Sequence, residues 1–177
     1  MAAAGDALAR RQLSPVVGRF SISTALAASA MEIWEQVCTF EGVNYELGPY
    51  LRMTKPPGLR GRSLDVLAPG SAPGRSWLLL GGVLPVDYDD LGIAELEPPR
   101  RFLERSRMLS MAAWEHERVV EPAGESACTV TDRLAYELRD PLARAPGADA
   151  LADRMVAATF RHRHQRLVVR HDAAQPR

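Results

Sequence analysis

RFLERSRMLSMAAWEHERVVEPAGESACTVTDRLAYEL, residues Arg101–Leu138, decides how this chain folds. Its apolar and polar side chains alternate with the two-residue period of a strand, not the 3.6-residue period of a helix. Pro122-Ala123-Gly124-Glu125 interrupts the alternation between Trp114–Val120 and Ser126–Leu138, which marks a hairpin turn. Just upstream, Gly92–Glu97 and Arg101–Met108 flank Pro98-Pro99-Arg100, a second hairpin signal. Strands joined in succession by short turns form an antiparallel meander. Alternation also sorts the side chains by face. Phe102, Glu104, Ser106 and Met108 share one face, as do Trp114, His116, Arg118 and Val120, and Val130, Asp132, Leu134, Tyr136 and Leu138.

Upstream of the meander, Tyr50–Thr54 reads as a short strand, Pro56-Pro57-Gly58 as a turn and Ser63–Leu67 as a further strand. Pro69–Gly74 reads as a loop. Trp77–Leu84 is an apolar strand in which Gly81-Gly82 suggests a bulge, and Pro85–Asp90 reads as an acidic loop. At the beginning, Phe20, Ile22 and Thr24 alternate within a strand over Gly18–Leu26. Ser29 with Glu32 then forms a capping box. Ala30, Ile33, Trp34 and Val37 follow at helical spacing as one apolar stripe. Glu41-Gly42 is expected to end that helix, with Val43–Leu47 forming a second short helical turn.

Downstream, Pro141–Gly147 is a breaker-rich loop and Asp149–Arg170 contains no Gly or Pro, so the chain closes with a long helix. Leu151, Met155, Val156, Thr159, Phe160 and Leu167 occupy one arc of it; Arg163 and Arg166 fall inside the arc, Arg161 and His164 outside. This order predicts an α+β fold: a curved antiparallel sheet of about seven strands wrapped on a long C-terminal helix, with two short helices after the first strand. Residues 17–170 are expected to form one ligand-binding domain, with 1–16 and 171–177 as flexible tails. A curved sheet closed by one helix leaves space between the two, where a ligand fits.

Composition narrows the function classes. The 177 residues carry 22 basic and 22 acidic side chains, a balance that disfavours a grip on nucleic acid and strong attraction to a membrane. Lys55 is the only lysine, so nearly all positive charge is arginine, suited at a few positions to bidentate anion contacts. Apolar runs fall short of the roughly 20 residues of a bilayer span. Cys38 and Cys128 stand apart among apolar neighbours and suggest neither zinc nor a redox pair. The start lacks the basic-then-apolar order of a secretory signal, and a cytoplasmic protein is the expectation.

Three stretches carry a resemblance. Trp114-Glu-His116-Glu-Arg118 resembles a Trp-x-His-x-His/Arg strand. Thr131-Asp132-Arg-Leu-Ala-Tyr136 followed by Pro141 resembles a Thr-Asp-x-x-x-Tyr…Pro stretch, and Phe160-Arg-His-Arg163 through Leu167 resembles a Phe-x-x-Arg-x-x-x-Leu helix. All three belong to the START-like, or SRPBCC, superfamily of helix-grip proteins, which includes birch-pollen-allergen-type and polyketide cyclase/dehydrase-type members. The resemblance spans about Val17 to Arg170, although Ser110-Met-Ala-Ala stands where relatives have a Gly-Pro-Phe bend. It implies a cavity between sheet and closing helix that takes lipids, sterols, polyketides or other apolar molecules. Fold alone does not decide between carrier and enzyme.

If the strand faces named above point inward, Glu104, His116, Arg118 and Asp132 meet Arg163. Burying a charge without a partner costs several kcal/mol or shifts its pKa, so the group must pair internally or bind a polar part of a ligand. One reading is an acid/base site, with His116 relaying a proton, Asp132 or Glu104 orienting its ring, and Arg163 holding a carboxylate or polarising a carbonyl. The other is a salt-bridge lattice, Arg118 or Arg163 to Asp132 and His116 to Glu104, that knits helix to sheet. His162 and His164 at i and i+2 cannot face one another. Asp87, Asp89 and Asp90 lack the Gly and distal Glu of a calcium loop and read as a solvated loop. No phosphate loop or nucleophile elbow is present.

The leading expectation is a binding protein for a small apolar or amphipathic ligand, needing no cofactor or metal and making no stable membrane insertion; a homodimer is compatible with it. Its cavity residues are expected to be Trp77, Phe102, Glu104, Met108, Trp114, His116, Arg118, Tyr136, Met155, Thr159 and Arg163. The alternative is a cofactor-free cyclase, aromatase or dehydratase using His116 and Asp132. A third reading, an interaction module without a small ligand, predicts a filled interior.

Overall fold

The computed structural model describes residues 18–59, 61 and 67–172. Strand β1 (Gly18–Leu26) leads into helices α1 (Ala30–Val37) and α2 (Phe40–Leu47). Strands β2 (Leu51–Met53), β3 (Ser71–Leu80), β4 (Leu84–Glu97), β5 (Arg101–Met108), β6 (Met111–Pro122) and β7 (Cys128–Leu138) follow, and helix α3 (Ala148–Asp172) closes the chain. The seven strands form one antiparallel sheet in the order β1-β7-β6-β5-β4-β3-β2. The meander therefore runs from β2 to β7, and β1 folds back beside the last strand. Register shifts interrupt β3–β4, β4–β5 and the start of β6, each a local bend that curls the sheet around α3.

The β1–β7 ladder, by contrast, is unbroken from Gly18↔Tyr136 to Leu26↔Cys128. Gly18 is needed there, because a Cβ at that position would lie 2.3 Å from the Tyr136 ring. Ser29 and Glu32 form the capping box of α1, and Ala30, Ile33, Trp34 and Val37 are all buried. Ile33, Trp34 and Val37 pack with Val120, Val130 and Leu167 into one core. A second core, beneath α3, joins Met108, Leu134, Tyr136 and Leu138 to Ala152, Val156 and Phe160.

The structure differs from the sequence expectation at several points. Helix α1 stops at Val37, and Thr39 caps a separate α2 by accepting from Gly42 N at 3.0 Å, so Glu41 and Gly42 begin a helix instead of ending one. The strand expected from Ser63 falls outside the described residues, apart from Leu67. The Pro69–Gly74 loop is instead the beginning of β3, at Ser71. Gly81 and Gly82, at φ of 60° and 78°, make the β3–β4 turn and not a bulge. The acidic Pro85–Asp90 segment is part of β4, where two of its three carboxylates find partners across the sheet. Asp90 pairs with Arg75 at 2.7 Å, and Asp87 accepts from Leu109 N at 2.8 Å. Helix α3 runs to Asp172, two residues past the expected end; the expected tails 1–16 and 173–177 lie outside the described residues.

Candidate functional site

The alternation of β5, β6 and β7 turns Glu104, His116, Arg118 and Asp132 to the concave side, and all four are buried there. Asp132 is their hub. Its Oδ1 accepts from Arg118 Nε at 2.7 Å and contacts His116 Nε2 at 3.0 Å. Its Oδ2 accepts from Arg118 Nη2 at 2.7 Å and contacts His164 Nε2 at 3.0 Å. Burial opposes ionisation of Asp132, but the charge and hydrogen bonds of Arg118 outweigh it and hold the carboxyl well below its ordinary range. With both oxygens occupied, Asp132 is an anchor and has no lone pair to spare for a substrate proton.

Arg118 is fully buried and reaches a second carboxylate, Glu46 of α2, through Nη1 at 2.9 Å and Nη2 at 3.0 Å. Arg163 of α3 meets the same Glu46, its Nε donating to Oε2 at 3.0 Å. Burial pushes the Glu46 carboxyl up, and the two arginines more than reverse this, leaving it below its usual value. The lattice foreseen from the sequence thus exists with a different partner: Arg163 pairs with Glu46, not Asp132. Glu46 escaped the sequence reading because it sits in a second short helical turn, Val43–Leu47, whose local pattern does not show the two arginines that reach it from distant strands and helices. His164 was expected outside the buried arc, yet it is buried, with Nδ1 on Thr24 Oγ1 at 2.7 Å. Helix α3 packs against β1 as well as the cavity, so its buried face is wider than the apolar stripe alone. Arg166, placed inside the arc, lies instead over the Tyr45 ring at 4.1 Å.

Between α3 and the sheet lies a cavity of about 390 Å³. Seven of the expected residues line it: Glu104, Met108, Trp114, His116, Met155, Thr159 and Arg163. Met155 is 62% exposed and Leu151 59%, so the first turns of α3 form an open mouth. A smaller chamber of about 80 Å³ lies toward α1 and α2, bordered by Phe102 and Arg118. Glu104, His116 and Arg163 line both spaces and form the partition between them. The His116 ring is held edge-on between Phe102 and Phe160, with centroids 5.2 and 5.0 Å away.

Two expected residues line neither space. Trp77 is 43% exposed on the convex face, where it meets Tyr88, because inward positions of β3 fall on Ser76 and Leu78. Tyr136 is buried beneath α3 and donates its hydroxyl to Asp153 at 2.6 Å. Trp114 lies between the rings of Tyr136 and Phe160 and takes the lining position instead.

The polar end of the cavity contains a residue that the sequence reading assigned to solvent. Asp89 is only 4% exposed and lines the wall beside Glu104. Burial, and then the Glu104 charge, raise its carboxyl well above the ordinary value. Glu104 is buried too, but the hydrogen bond and charge of His116 outweigh burial and keep it low. Ser106 Oγ donates to Glu104 Oε1 at 2.7 Å, and His116 Nδ1 stands 3.7 Å from Oε2. Among the described residues, no group of three or more His, Cys, Asp or Glu is arranged to hold a metal ion, and no helix is long and apolar enough to cross a membrane.

No curated protein matches the chain. Solved structures do. A START superfamily protein from Mycobacterium smegmatis superposes with a TM-score of 0.61 and 16% identity over 89% of this chain and 99% of its own. The Zhui aromatase/cyclase from a Streptomyces species superposes at 0.64 with 13% identity, over 88% of this chain and 93% of that one. The di-domain ARO/CYC BexL gives 0.58 and 18% over 85% of this chain, which spans 45% of that protein's length. These likenesses establish the START-like helix-grip fold. A family model described as a domain of unknown function, DUF8410, matches residues 24–171, and the chain belongs to that family.

Proposed function

We propose that the protein holds a small, largely apolar molecule between the sheet and α3, with the polar end of that molecule against Glu104, His116 and Arg163. The observation that carries this reading is the unfilled cavity of about 390 Å³, open at the Leu151–Met155 mouth. Its size falls in the range of about 300–1,000 Å³ typical of small-molecule pockets. A molecule that binds there only in the folded state adds to its stability. An interaction module without a ligand predicts a filled interior instead. The fold it shares with a START superfamily protein and an aromatase/cyclase supports the same reading.

The test is native mass spectrometry of protein purified from its own host, beside a Thr159→Trp variant that fills the cavity. A small molecule retained by the wild type and lost from a folded variant supports the proposal. No retained molecule, together with no saturable binding of apolar probes, overturns it.

A second reading, a cofactor-free cyclase, aromatase or dehydratase, is favoured by one observation. Of the two His116 contacts, the 3.7 Å approach to Glu104 is long, and a substrate group can replace it while Asp132 keeps hold of the other nitrogen. Turnover of a retained ligand that is lost in His116→Ala, with binding preserved, supports this reading.

A further inference from the structure

We infer that Asp89 and Glu104, side by side at the inner wall of the cavity, form a headgroup subsite that takes an uncharged hydroxyl and rejects a carboxylate. This deepens the cavity reading above and rests on it. The two side chains come from adjacent strands, β4 and β5, both line the cavity, and each shifts the ionisation of the other. Asp89 is more than nine-tenths buried, and its Oδ1 has no donor. Ser76, opposite Asp89 in the β3–β4 register, is fully buried, and its hydroxyl has no partner either. Asp89 therefore brings unmet hydrogen-bonding capacity to a largely apolar space, a costly arrangement unless a ligand or water supplies the missing contact.

The charges decide which headgroup fits. Burial and the neighbouring Glu104 charge favour a proton on Asp89, while His116 favours the charged form of Glu104, so the negative charge of the pair is concentrated on Glu104. The basic side chains that line the cavity and its inner chamber each face a carboxylate, while Arg139, which donates to the Met108 and Met111 carbonyls, lines neither space. Arg118 spans Asp132 and Glu46, Arg163 is held on Glu46, and His116 stands between Asp132 and Glu104. A ligand carboxylate at this wall would lie against Glu104 with no uncommitted arginine in the cavity lining to offset it. A ligand hydroxyl donates to the Glu104 carboxylate or Asp89 oxygen and accepts from the remaining donors, adding no charge.

Three probes that share one ring system test this: naphthalene, 2-naphthol and 2-naphthoate, titrated by calorimetry at pH 7. Binding of 2-naphthol about tenfold or more tighter than 2-naphthoate, and tighter than naphthalene, is the expected result. In the Asp89→Asn, Glu104→Gln double variant, the preference over 2-naphthoate shrinks toward unity. Because the wild type alone gives the ordering, a variant that fails to fold does not spoil the test. Naphthoate binding as tightly as naphthol, or naphthol no tighter than naphthalene, overturns the headgroup inference while the cavity reading stands. No binding of any of the three overturns both.

Discussion

Arg118 of β6 grips Asp132 of β7 through two hydrogen bonds of 2.7 Å, one to each carboxylate oxygen, with both side chains fully buried. The pair is cross-strand and in register, Arg118↔Asp132, so the sheet ladder itself sets the geometry. The outer nitrogens of the same guanidinium hold Glu46, and through it α2 and α3.

Arg118→Met removes the cation and leaves two buried carboxylates facing each other. A loss of about 3–5 kcal/mol is expected, the usual penalty for breaking a buried pair from one side. Urea unfolding should show a large drop in midpoint. A drop below about 1 kcal/mol would mean that the network adds little to the fold.

Arg163→Ala should cost less, because Glu46 keeps both of its bonds to Arg118. A loss of about 1–3 kcal/mol is expected from one charge-assisted contact and its packing over Phe160. Side-by-side denaturation of the two variants gives the ranking, and a reversed order would contradict the hub role of Arg118.

Acid should unfold the protein through Asp132, Glu46 and Glu104. Burial raises each of these carboxyls, and the arginines or His116 more than offset it, so the folded values lie below the ordinary 3.8 and 4.5. Their stabilisation is complete above those ordinary values and is lost as pH falls through the depressed ones. Stability measured against pH should show a steep acid limb from these three groups. Asp132→Asn should flatten that limb as well as lower stability at neutral pH.

Asp89 has the opposite sign. Its raised folded value means that the unfolded chain gives up the proton first, so Asp89 lowers stability increasingly as pH rises above 3.8. Asp89→Asn, which keeps the shape and cannot ionise, should be more stable than wild type at pH 7, by a margin that shrinks as pH falls. Equal or lower stability of the variant at neutral pH would count against a neutral Asp89.

Gly42→Ala tests the α1–α2 elbow. A Cβ there would lie 1.9 Å from the Gln36 carbonyl oxygen, so backbone must move. A loss of about 1–3 kcal/mol is expected, with α2 and therefore Glu46 displaced. Circular dichroism melts would detect it.

Much of this fold was legible in local pattern. The period-two alternation over Arg101–Leu138 put Glu104, His116, Arg118 and Asp132 on one face, and the ladder keeps them there. The Ser29–Glu32 box marked α1 correctly. What escaped depends on contacts distant in sequence. Glu46 is buried because Arg118 and Arg163 come to it from 72 and 117 residues away. Three aspartates in six residues read as solvated until Arg75, Ser110 and Glu104 are known to face them. His164 looked peripheral because a single apolar stripe cannot reveal a second packing surface on the same helix.

Helix α3 is a beam clamped at one end. Its later turns carry Arg163, His164 and Leu167, all buried, with Arg163 ion-paired to Glu46 of α2 and His164 in hydrogen-bond contact with Asp132 of β7. Its early turns carry Leu151 and Met155, largely in the open, with Asp153 bonded to the Tyr136 hydroxyl. Lifting the early turns breaks that one hydrogen bond and some apolar contact but no buried ion pair. The doorway to the interior can therefore widen while the charged hinge behind it stays shut.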